Sequence, residues 1–225
     1  MSISTIALCV NNDIEWSETK LNNTMKVLPN KLIKKAKTFR FWNDRQAFIL
    51  GKLLVKRVLE ENSKFNLCDI QYNSYGKPYI KGDISFSVSH SGEYVICLFS
   101  LTTNSIGVDI EKIDSKINLN DFEEVLTTKE SLRIKDSKNP KDTFYETWTI
   151  KEAGMKADGR GMNIPLNEID ISCESLKIEE KKWYHYPLDI EENYKCSLVV
   201  DSPEFFVCFN KINDEDLMNY RFLAN

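Results

Sequence analysis

The segment 106–113, IGVDIEKI, places two carboxylates close together on a predicted strand. Side chains of a strand alternate between its two faces, so Asp109 and Glu111 share one face and the apolar residues between them share the other. Their backbones lie roughly 7 Å apart by strand rise. Two like charges at this spacing repel each other unless they are solvated or share a cation, and carboxylate oxygens suit Mg²⁺. The pattern therefore indicates either a magnesium site or an acidic strand face exposed to solvent.

A second group of candidate residues lies in the segment 148–159, WTIKEAGMKADG. Trp148, Glu152 and Lys156 are spaced four residues apart, so they share one face of a predicted helix. Glu152 and Lys156 could form an ordinary surface ion pair, which contributes only a few tenths of a kcal/mol. The functional interpretation is that Glu152 adds a third carboxylate to a metal site. Lys156, one turn further on, would then reach phosphates that the metal holds.

The segment FSVSHSGEYV, at 86–95, carries groups that suit phosphate binding. His90 follows Ser89 at the end of a predicted strand and precedes Ser91 and Gly92. Hydroxyls, imidazole and exposed backbone N–H groups at a strand end can bind a phosphate. By itself the segment also fits a polar turn. We assign the second histidine, His185, to structure.

Basic residues in the first half could add to an anion site. Gly76, Lys77 and Pro78, in the segment YGKPY, predict a rigid turn that carries one cation. A basic cluster precedes and enters the first long helix, and such clusters are usually solvated faces. Its members are Lys31, Lys34, Lys35, Lys37, Arg40 and Arg45.

The first half of the chain contains one long helix and several strands. A strand is expected near 3–10, and the segment 43–61 has apolar residues at helical spacing, with Asn43 or Asp44 suited to the N-cap. Shorter strands follow, with alternating or dense apolar residues. They are expected at 70–72, 84–88 and 93–100.

The second half repeats this organisation after a polar joint at 101–105. Thr127 with Glu130, and Thr143 with Glu146, are candidate capping boxes for a short and a long helix, and Gly159 lies just past the end of the long one. Further strands are expected at 169–172, 183–186, 194–200 and 205–209. The sequence therefore predicts an α+β fold with two similar subdomains, 1–105 and 106–225, although identity between the halves is too weak to prove duplication.

Composition limits the class of protein. The chain has 225 residues, of which 42% are hydrophobic and 28% charged, which is ordinary for a globular protein. A net charge of −4 disfavours a general nucleic-acid binder. The six cysteines are scattered without a Cys-x-x-Cys pair, and no apolar run approaches the ~18 residues of a membrane span. We therefore expect a cytoplasmic protein with reduced thiols, no signal peptide, and neither nucleic-acid nor membrane partners.

Four motifs, taken in their order and separation, resemble those of the 4′-phosphopantetheinyl transferases. They are GKP at 76–78, FSVSHSG at 86–92, IGVDIEK at 106–112 and WTIKEAGMKADGRGM at 148–162. The chain is most similar to the larger, single-chain Sfp type, and the resemblance covers essentially its whole length. It implies a monomeric pseudo-dimer, in which each subdomain packs a small, mostly antiparallel sheet against a long helix. Coenzyme A would bind in the cleft between the subdomains.

The resemblance also implies roles for the matching residues. Asp109, Glu111 and Glu152 would hold Mg²⁺ on the pyrophosphate of coenzyme A, and Lys156 would contact the same phosphates. Asp109, Glu152 and Lys156 are thus the expected catalytic residues. The general base stays open between Glu152 and a metal-bound water.

Further residues are implied in binding coenzyme A. Ser89 and His90 would contact its phosphates, including the 3′-phosphate, and the Gly76-Lys77-Pro78 turn would line the adenine end. In the family, basic residues of the first helical region contact the 3′-phosphate of coenzyme A. The spacing of the basic residues in this chain does not align cleanly with that pattern. The candidates for that role are Arg45, Lys31 and Lys35.

The implied reaction transfers 4′-phosphopantetheine to a serine of an acyl or peptidyl carrier protein and releases adenosine 3′,5′-bisphosphate. The region after Glu111 would help the carrier to dock, although its apolar residues could equally be a core-packing element. They are Ile117, Leu119, Phe122, Val125 and Leu126. Two other hypotheses remain: a metal-dependent phosphodiesterase acting on coenzyme A or a related nucleotide, and a non-catalytic binding module. The intact set of three carboxylates and a lysine argues against the module.

Overall fold

The computed structural model describes residues 5–102 and 105–218. Its helices, in chain order, are α1 (Glu18–Met25), α2 (Asn30–Ala36), α3 (Trp42–Asn62), α4 (Thr128–Lys135) and α5 (Pro140–Asp158). Its strands are β1 (Thr5–Asn11), β2 (Gln71–Tyr72), β3 (Pro78–Tyr79), β4 (Ser85–Ser91), β5 (Tyr94–Ser100), β6 (Ile106–Lys112), β7 (Asp170–Ile171), β8 (Ser175–Ile178), β9 (Lys181–Pro187), β10 (Tyr194–Val200) and β11 (Cys208–Ile212). Short 3₁₀ turns connect several of these elements.

The first sheet has four strands in the order β11-β1-β5-β4, and all its pairs except β1–β11 are antiparallel. Strand β5 is buried along its whole length, and it reads as a dense apolar run because both of its faces are covered. Helix α3 lies on one face of this sheet. Gly51 of α3 leaves room for Val88 of β4, since a Cβ there would come within 3.0 Å of the valine side chain.

Helix α3 begins slightly earlier than its sequence predicts. Phe41 occupies the N-cap position without a side-chain hydrogen bond, where Asn43 or Asp44 was expected. The segment after β1 holds this end of the helix instead. Asn12 donates a hydrogen bond to the carbonyl of Asn43, and Gln46 both accepts from the N–H of Trp16 and donates to the carbonyl of residue 14. Tertiary contacts therefore replace the expected cap.

The second sheet has five strands in the order β6-β10-β9-β8-β7, all antiparallel, and α5 packs against it. At α4 the expected capping box of Thr127 and Glu130 is confirmed, and Gly159 ends α5 with a left-handed φ of +94°. The second expected capping box is wrong. Helix α5 starts at Pro140, so Thr143 lies inside it and donates back to the carbonyl of Asn139.

The predicted α+β architecture of two similar halves is confirmed, since each half packs a mostly antiparallel sheet against one long helix. An apolar cluster shared by β1, β5, β6 and β10 joins the two sheets. The last strand crosses back to the first half. Strand β11 pairs in parallel with β1, so residues 208–212 complete the first sheet although the predicted division at 105/106 assigns them to the second subdomain.

The described residues include no helix that is both long enough and apolar enough to cross a membrane.

Candidate active site

The acidic pair of β6 lies where the two sheets meet. Val108 and Ile110 are fully buried in the apolar cluster between the sheets, so the alternation of the strand turns Asp109 and Glu111 towards α5. Gly107 lets the helix come close, since a Cβ at this position would lie 2.0 Å from the carbonyl oxygen of Ala153. The strand and the helix that carry the candidate residues are therefore in direct contact.

Lys156 of α5 reaches the first carboxylate. Its Nζ lies 2.7 Å from Asp109 Oδ1 and 2.8 Å from the hydroxyl of Ser89, which itself donates to the same oxygen at 2.8 Å. The side chain of Asp109 is only 4% exposed, while that of Lys156 is 30% exposed. The second oxygen, Asp109 Oδ2, is buried without a hydrogen-bond partner among the described residues. This ion pair thus leaves one buried carboxylate oxygen free to bind a cation.

Glu111 and Glu152 have pKa values raised by the same surroundings. Burial, and then repulsion by Asp109, raise the pKa of Glu111 to about 7, while a hydrogen bond from Ser91 to Glu111 Oε2 at 2.7 Å opposes the shift. Burial and Asp109 also raise the pKa of Glu152, and Lys156 opposes that shift. Perturbed carboxylates in a cleft between two elements are typical of functional sites.

The three carboxylates are openly arranged. Among residues 5–102 and 105–218, no group of three or more His, Cys, Asp or Glu side chains is gathered closely enough to enclose a metal ion. Mg²⁺ commonly takes only one or two protein carboxylates and completes its shell with water and substrate phosphates. The unpartnered oxygen of Asp109 and the mutual repulsion between Asp109, Glu111 and Glu152 fit such a cation. That all three bind it remains a prediction.

A basic cavity opens next to the Asp109–Lys156 pair. It has a volume of about 360 Å³ and is lined by three lysines, Lys52, Lys77 and Lys156, together with Gly76 and Pro78. None of the described residues that line it is acidic. The predicted GKP turn and the lysine of the α5 motif therefore meet in one cavity, and its charge suits an anionic ligand.

Lys77 is fixed in the wall of this cavity. Its Nζ donates to the carbonyl of Ala157 at 2.9 Å, and Asn73 Oδ1 accepts from its backbone N–H. Asn73 also donates to the carbonyl of Gly159 at 2.8 Å, which ties the turn to the end of α5. Burial lowers the pKa of Lys77 to about 8.

Sequence reasoning missed Lys52. It lies on α3 and lines the cavity, burial lowers its pKa, and no described residue forms an ion pair with it. Its ammonium lies 5.3 Å from the ring centre of Phe48, one turn earlier on the helix. The sequence did contain a sign of this residue, because Lys52 stands between apolar residues of the long helix. A lysine at such a position is a candidate for a buried cation.

Ser89 and His90 lie on opposite faces of β4. Ser89 is buried, and its hydroxyl donates a hydrogen bond to the Asp109 carboxylate and accepts one from Lys156 in this structure. His90 is exposed and shares its face with Phe86 and Val88, which pack towards α3. Their expected contacts with phosphates stay predictions. His185 lies on β9, where its Nε2 is 2.9 Å from the carbonyl oxygen of Ser172.

The other predicted cations lie outside the basic cavity. Lys31 lines a second cavity of about 240 Å³ together with Lys52 and Tyr72. Lys35 lies 5.6 Å from the ring centre of Phe39. Arg45, in the first turn of α3, has a buried Nε without a hydrogen-bond partner among the described residues. Their assignment to the 3′-phosphate is untested.

The apolar residues proposed for carrier docking are half-buried. Ile117, Leu119, Phe122 and Leu126 pack against a buried cluster that includes Phe144, and Val125 packs against the core beside α5. The rings of Phe122 and Trp148 meet edge to face at 5.5 Å. Trp148 therefore anchors α5 to this segment. Of the two roles that the sequence left open, carrier docking and core packing, the segment has at least the core-packing one.

Comparisons with known proteins agree with the motifs. Residues 105–201 match the model of the 4′-phosphopantetheinyl transferase superfamily, and residues 15–101 match that of the 4′-phosphopantetheinyl transferase N-terminal region. The 4′-phosphopantetheinyl transferase gsp of Aneurinibacillus migulanus is 33% identical over 170 residues, which cover 70% of each chain. The 4′-phosphopantetheinyl transferase Sfp of Bacillus subtilis is 29% identical over 201 residues, which cover 82% of this chain and 88% of that relative.

A more distant similarity appears among solved structures. A holo-[acyl-carrier-protein] synthase from Thermotoga maritima aligns with 43% of this chain and 61% of its own, at 18% identity and a TM-score of 0.34. This likeness is too slight to support an argument.

Proposed function

The chain belongs to the 4′-phosphopantetheinyl transferases of the Sfp type, and we propose that it uses coenzyme A and Mg²⁺ to modify a serine of an acyl or peptidyl carrier protein. The phosphopantetheine group would pass from coenzyme A to the serine, and adenosine 3′,5′-bisphosphate would leave. The observation that carries this proposal is the basic cavity beside the Asp109–Lys156 pair. Three lysines and no acidic residue among the described lining suit a donor that bears several phosphates.

The lysines of the cavity would bind and orient the donor. Lys156 reaches from the cavity to Asp109, so a pyrophosphate held there would lie next to the carboxylates. Lys52 and Lys77 have pKa values lowered by burial, and an anionic ligand would favour their charged forms. We therefore add Lys52 to the residues expected to contact the phosphates.

Asp109, with Glu111 and Glu152, would hold the magnesium ion. When bound, Mg²⁺ supplies positive charge that stabilises the charge developing on the leaving bisphosphate. Lys156 adds to that stabilisation from the protein side. Phosphoryl transfer depends mainly on positioning and electrostatics, and α5 and β6, which are in direct contact, would supply both.

The raised pKa of Glu152 supports a role as the proton acceptor for the carrier serine. An ordinary glutamate is a weak base near neutral pH, and burial beside Asp109 makes Glu152 a stronger one as long as no cation neutralises these carboxylates. The serine oxygen would form its bond to the β-phosphorus as the pyrophosphate P–O bond breaks, and the serine proton would move to the carboxylate.

A mass measurement tests the proposal. Incubation of the protein with an apo-carrier, coenzyme A and Mg²⁺ should make the carrier heavier by one phosphopantetheine, and chelation of the metal should prevent this. The absence of a mass change across several acyl and peptidyl carriers would contradict the proposed function. Incubation with coenzyme A alone separates this reaction from a phosphodiesterase, which would release nucleotide without any carrier.

A further inference from the structure

Three serines on β4 face the neighbouring strand β6. Ser87, Ser89 and Ser91 alternate along β4, so they share one face. Strands β4 and β6 are the edge strands of two different sheets, and no backbone ladder joins them in the described structure. The serine hydroxyls make the connection instead, since Ser87 Oγ accepts from the N–H of Val108 at 3.1 Å and Ser91 Oγ accepts from that of Lys112 at 3.1 Å.

Ser91 makes a second hydrogen bond that aims a carboxylate. Its hydroxyl donates to Glu111 Oε2 at 2.7 Å while it accepts from the backbone of Lys112. The acceptor bond fixes the position of the oxygen, and the donor bond therefore has a defined direction. A short hydrogen bond to a charged acceptor is among the stronger ones in proteins.

Among the described residues, Ser91 is the one that donates a hydrogen bond to the Glu111 carboxylate. Asp109 and Glu152 repel this carboxylate, and Lys156 attracts it while its ammonium is bound to Asp109. Lys195 lies opposite Glu111 in the β6–β10 register, but its ammonium pairs with Asp142 at 2.9 Å. Without the serine, the repulsion would favour rotation of Glu111 away from the other two carboxylates.

The position of Ser91 is itself well determined. Gly92 follows it with a φ of +54°, and a Cβ at this glycine would lie 2.4 Å from the hydroxyl of Tyr194. That hydroxyl accepts from the N–H of Glu93 at 3.0 Å. A residue of the second sheet thus holds the turn that ends β4, and the turn holds the serine.

We propose that Ser91 is a positioning residue that keeps the Glu111 carboxylate directed towards Asp109, so that both can act on one divalent cation. The inference rests on the proposed function, because it assigns Glu111 to the metal. The proposed role of Ser91 is to orient Glu111 and not to bind the cation itself, since its oxygen already donates to Glu111 and accepts from the backbone of Lys112.

The test compares Ser91→Ala with Ser91→Thr, which retains a hydroxyl and suits a strand. Mn²⁺ affinity is measured by electron paramagnetic resonance in the presence of adenosine 3′,5′-bisphosphate, together with the Mg²⁺ concentration that gives half-maximal transfer. Loss of a residue that orients a metal ligand typically costs about 10- to 100-fold in metal affinity or activity. We expect Ser91→Ala to weaken both quantities in that range, Ser91→Thr to restore most of the loss, and excess Mg²⁺ to recover the rate of Ser91→Ala.

Ser85→Ala is the matched control. Ser85 begins the same strand and shares its face, about 20 Å from Ser91 by strand rise, and the change should leave both metal readouts as in the wild type. Equal Mn²⁺ affinity and Mg²⁺ requirement in Ser91→Ala and wild type would overturn the inference. So would a Ser91→Thr variant that folds like the wild type but binds metal as poorly as Ser91→Ala. A wild type without any metal dependence would instead contradict the proposed function.

Discussion

Glu152 carries a carboxylate on a half-buried helix face, next to a second carboxylate that raises its pKa. Ionising this carboxylate costs free energy in the folded protein, because it is half-buried and close to a second carboxylate. A charged residue that lowers stability in this way is typical of a site where reactivity is needed. Its spacing from Trp148 and Lys156 was readable in the sequence, because helical geometry alone puts the three on one face. Its proximity to Asp109 depends on how α5 packs on β6, which no local pattern reports.

Replacement of Glu152 by glutamine should separate activity from stability. If Glu152 accepts the serine proton, kcat should fall by about 100- to 10,000-fold. The melting temperature should equal or exceed that of the wild type, because the change removes a charge that the folded state disfavours. Glu146→Gln, on an exposed position of the same helix, is the control and should retain activity. A Glu152→Gln enzyme with a wild-type rate would exclude Glu152 as the base.

Lys77 should make stability depend on pH in a defined window. Its pKa is about 8 in the folded protein, against the usual 10.5, so the unfolded chain binds the proton more tightly. The free energy of unfolding should therefore rise with pH between about 8 and 10.5. Urea unfolding of the wild type and of Lys77→Met across this range should show that rise in the wild type relative to the variant. A difference between the two that does not change with pH would contradict the assigned pKa.

At the scale of the element, α5 and β6 act as one unit because Gly107 lets them touch. Both elements could be predicted, since the period of two in IGVDIEKI and the helical spacing of the α5 motif are clear. The capping box at Thr127 was equally readable. The one expected at Thr143 was wrong, because Asn139 and Pro140 start the helix earlier and Pro is favourable at a first helical position.

Gly107→Ala should displace the helix that carries Glu152 and Lys156. The added Cβ would meet the carbonyl oxygen of Ala153 at 2.0 Å and the N–H nitrogen of Ala157 at 2.6 Å, and neither backbone atom can move alone. Overpacking of this kind costs about 1–3 kcal/mol or more in the free energy of unfolding, which urea denaturation would measure. Activity should fall further than stability, because both functional residues move together.

Gly154→Ala provides the comparison on the same helix. Its Cβ would meet Leu176 Cδ1, the end of a flexible side chain that can shift, and alanine also improves helix propensity. The variant should therefore lose less stability and less activity than Gly107→Ala. The reverse order would show that the contact between α5 and β6 is not what holds the site.

At the scale of the molecule, the candidate site is assembled from both halves of the chain. The first half supplies the serines and the GKP turn, and the second half supplies the carboxylates and Lys156. The motifs could be found in the sequence, but the role of Ser91 could not, because it depends on the register between edge strands of different sheets. The pairing of β11 with β1 could not be predicted either, since a local sequence pattern does not identify a parallel partner strand about 200 residues away.

Ile212→Ala should show how strongly the returning strand supports the first sheet. Ile212 ends β11 and is 7% exposed within the core of the first half, so its truncation should cost about 2–5 kcal/mol in the free energy of unfolding. Phe206, which precedes β11 and is 77% exposed, is the control, and Phe206→Ala should change stability by less than about 0.5 kcal/mol. Similar costs for the two variants in urea denaturation would mean that β11 contributes little to the sheet.

The return of β11 also orders events during synthesis. Strand β1 leaves the ribosome about 200 residues before β11, the strand that covers its outer edge. At a translation rate of 5–20 residues per second, roughly 200 intervening residues take about 10–40 s. Once β5 has been made, and until β11 follows, the nascent first sheet has β5 on one side of β1 and an open edge on the other, which can pair with a foreign strand. The first sheet is thus completed only after the described strands of the second sheet, β6 to β10, have been made.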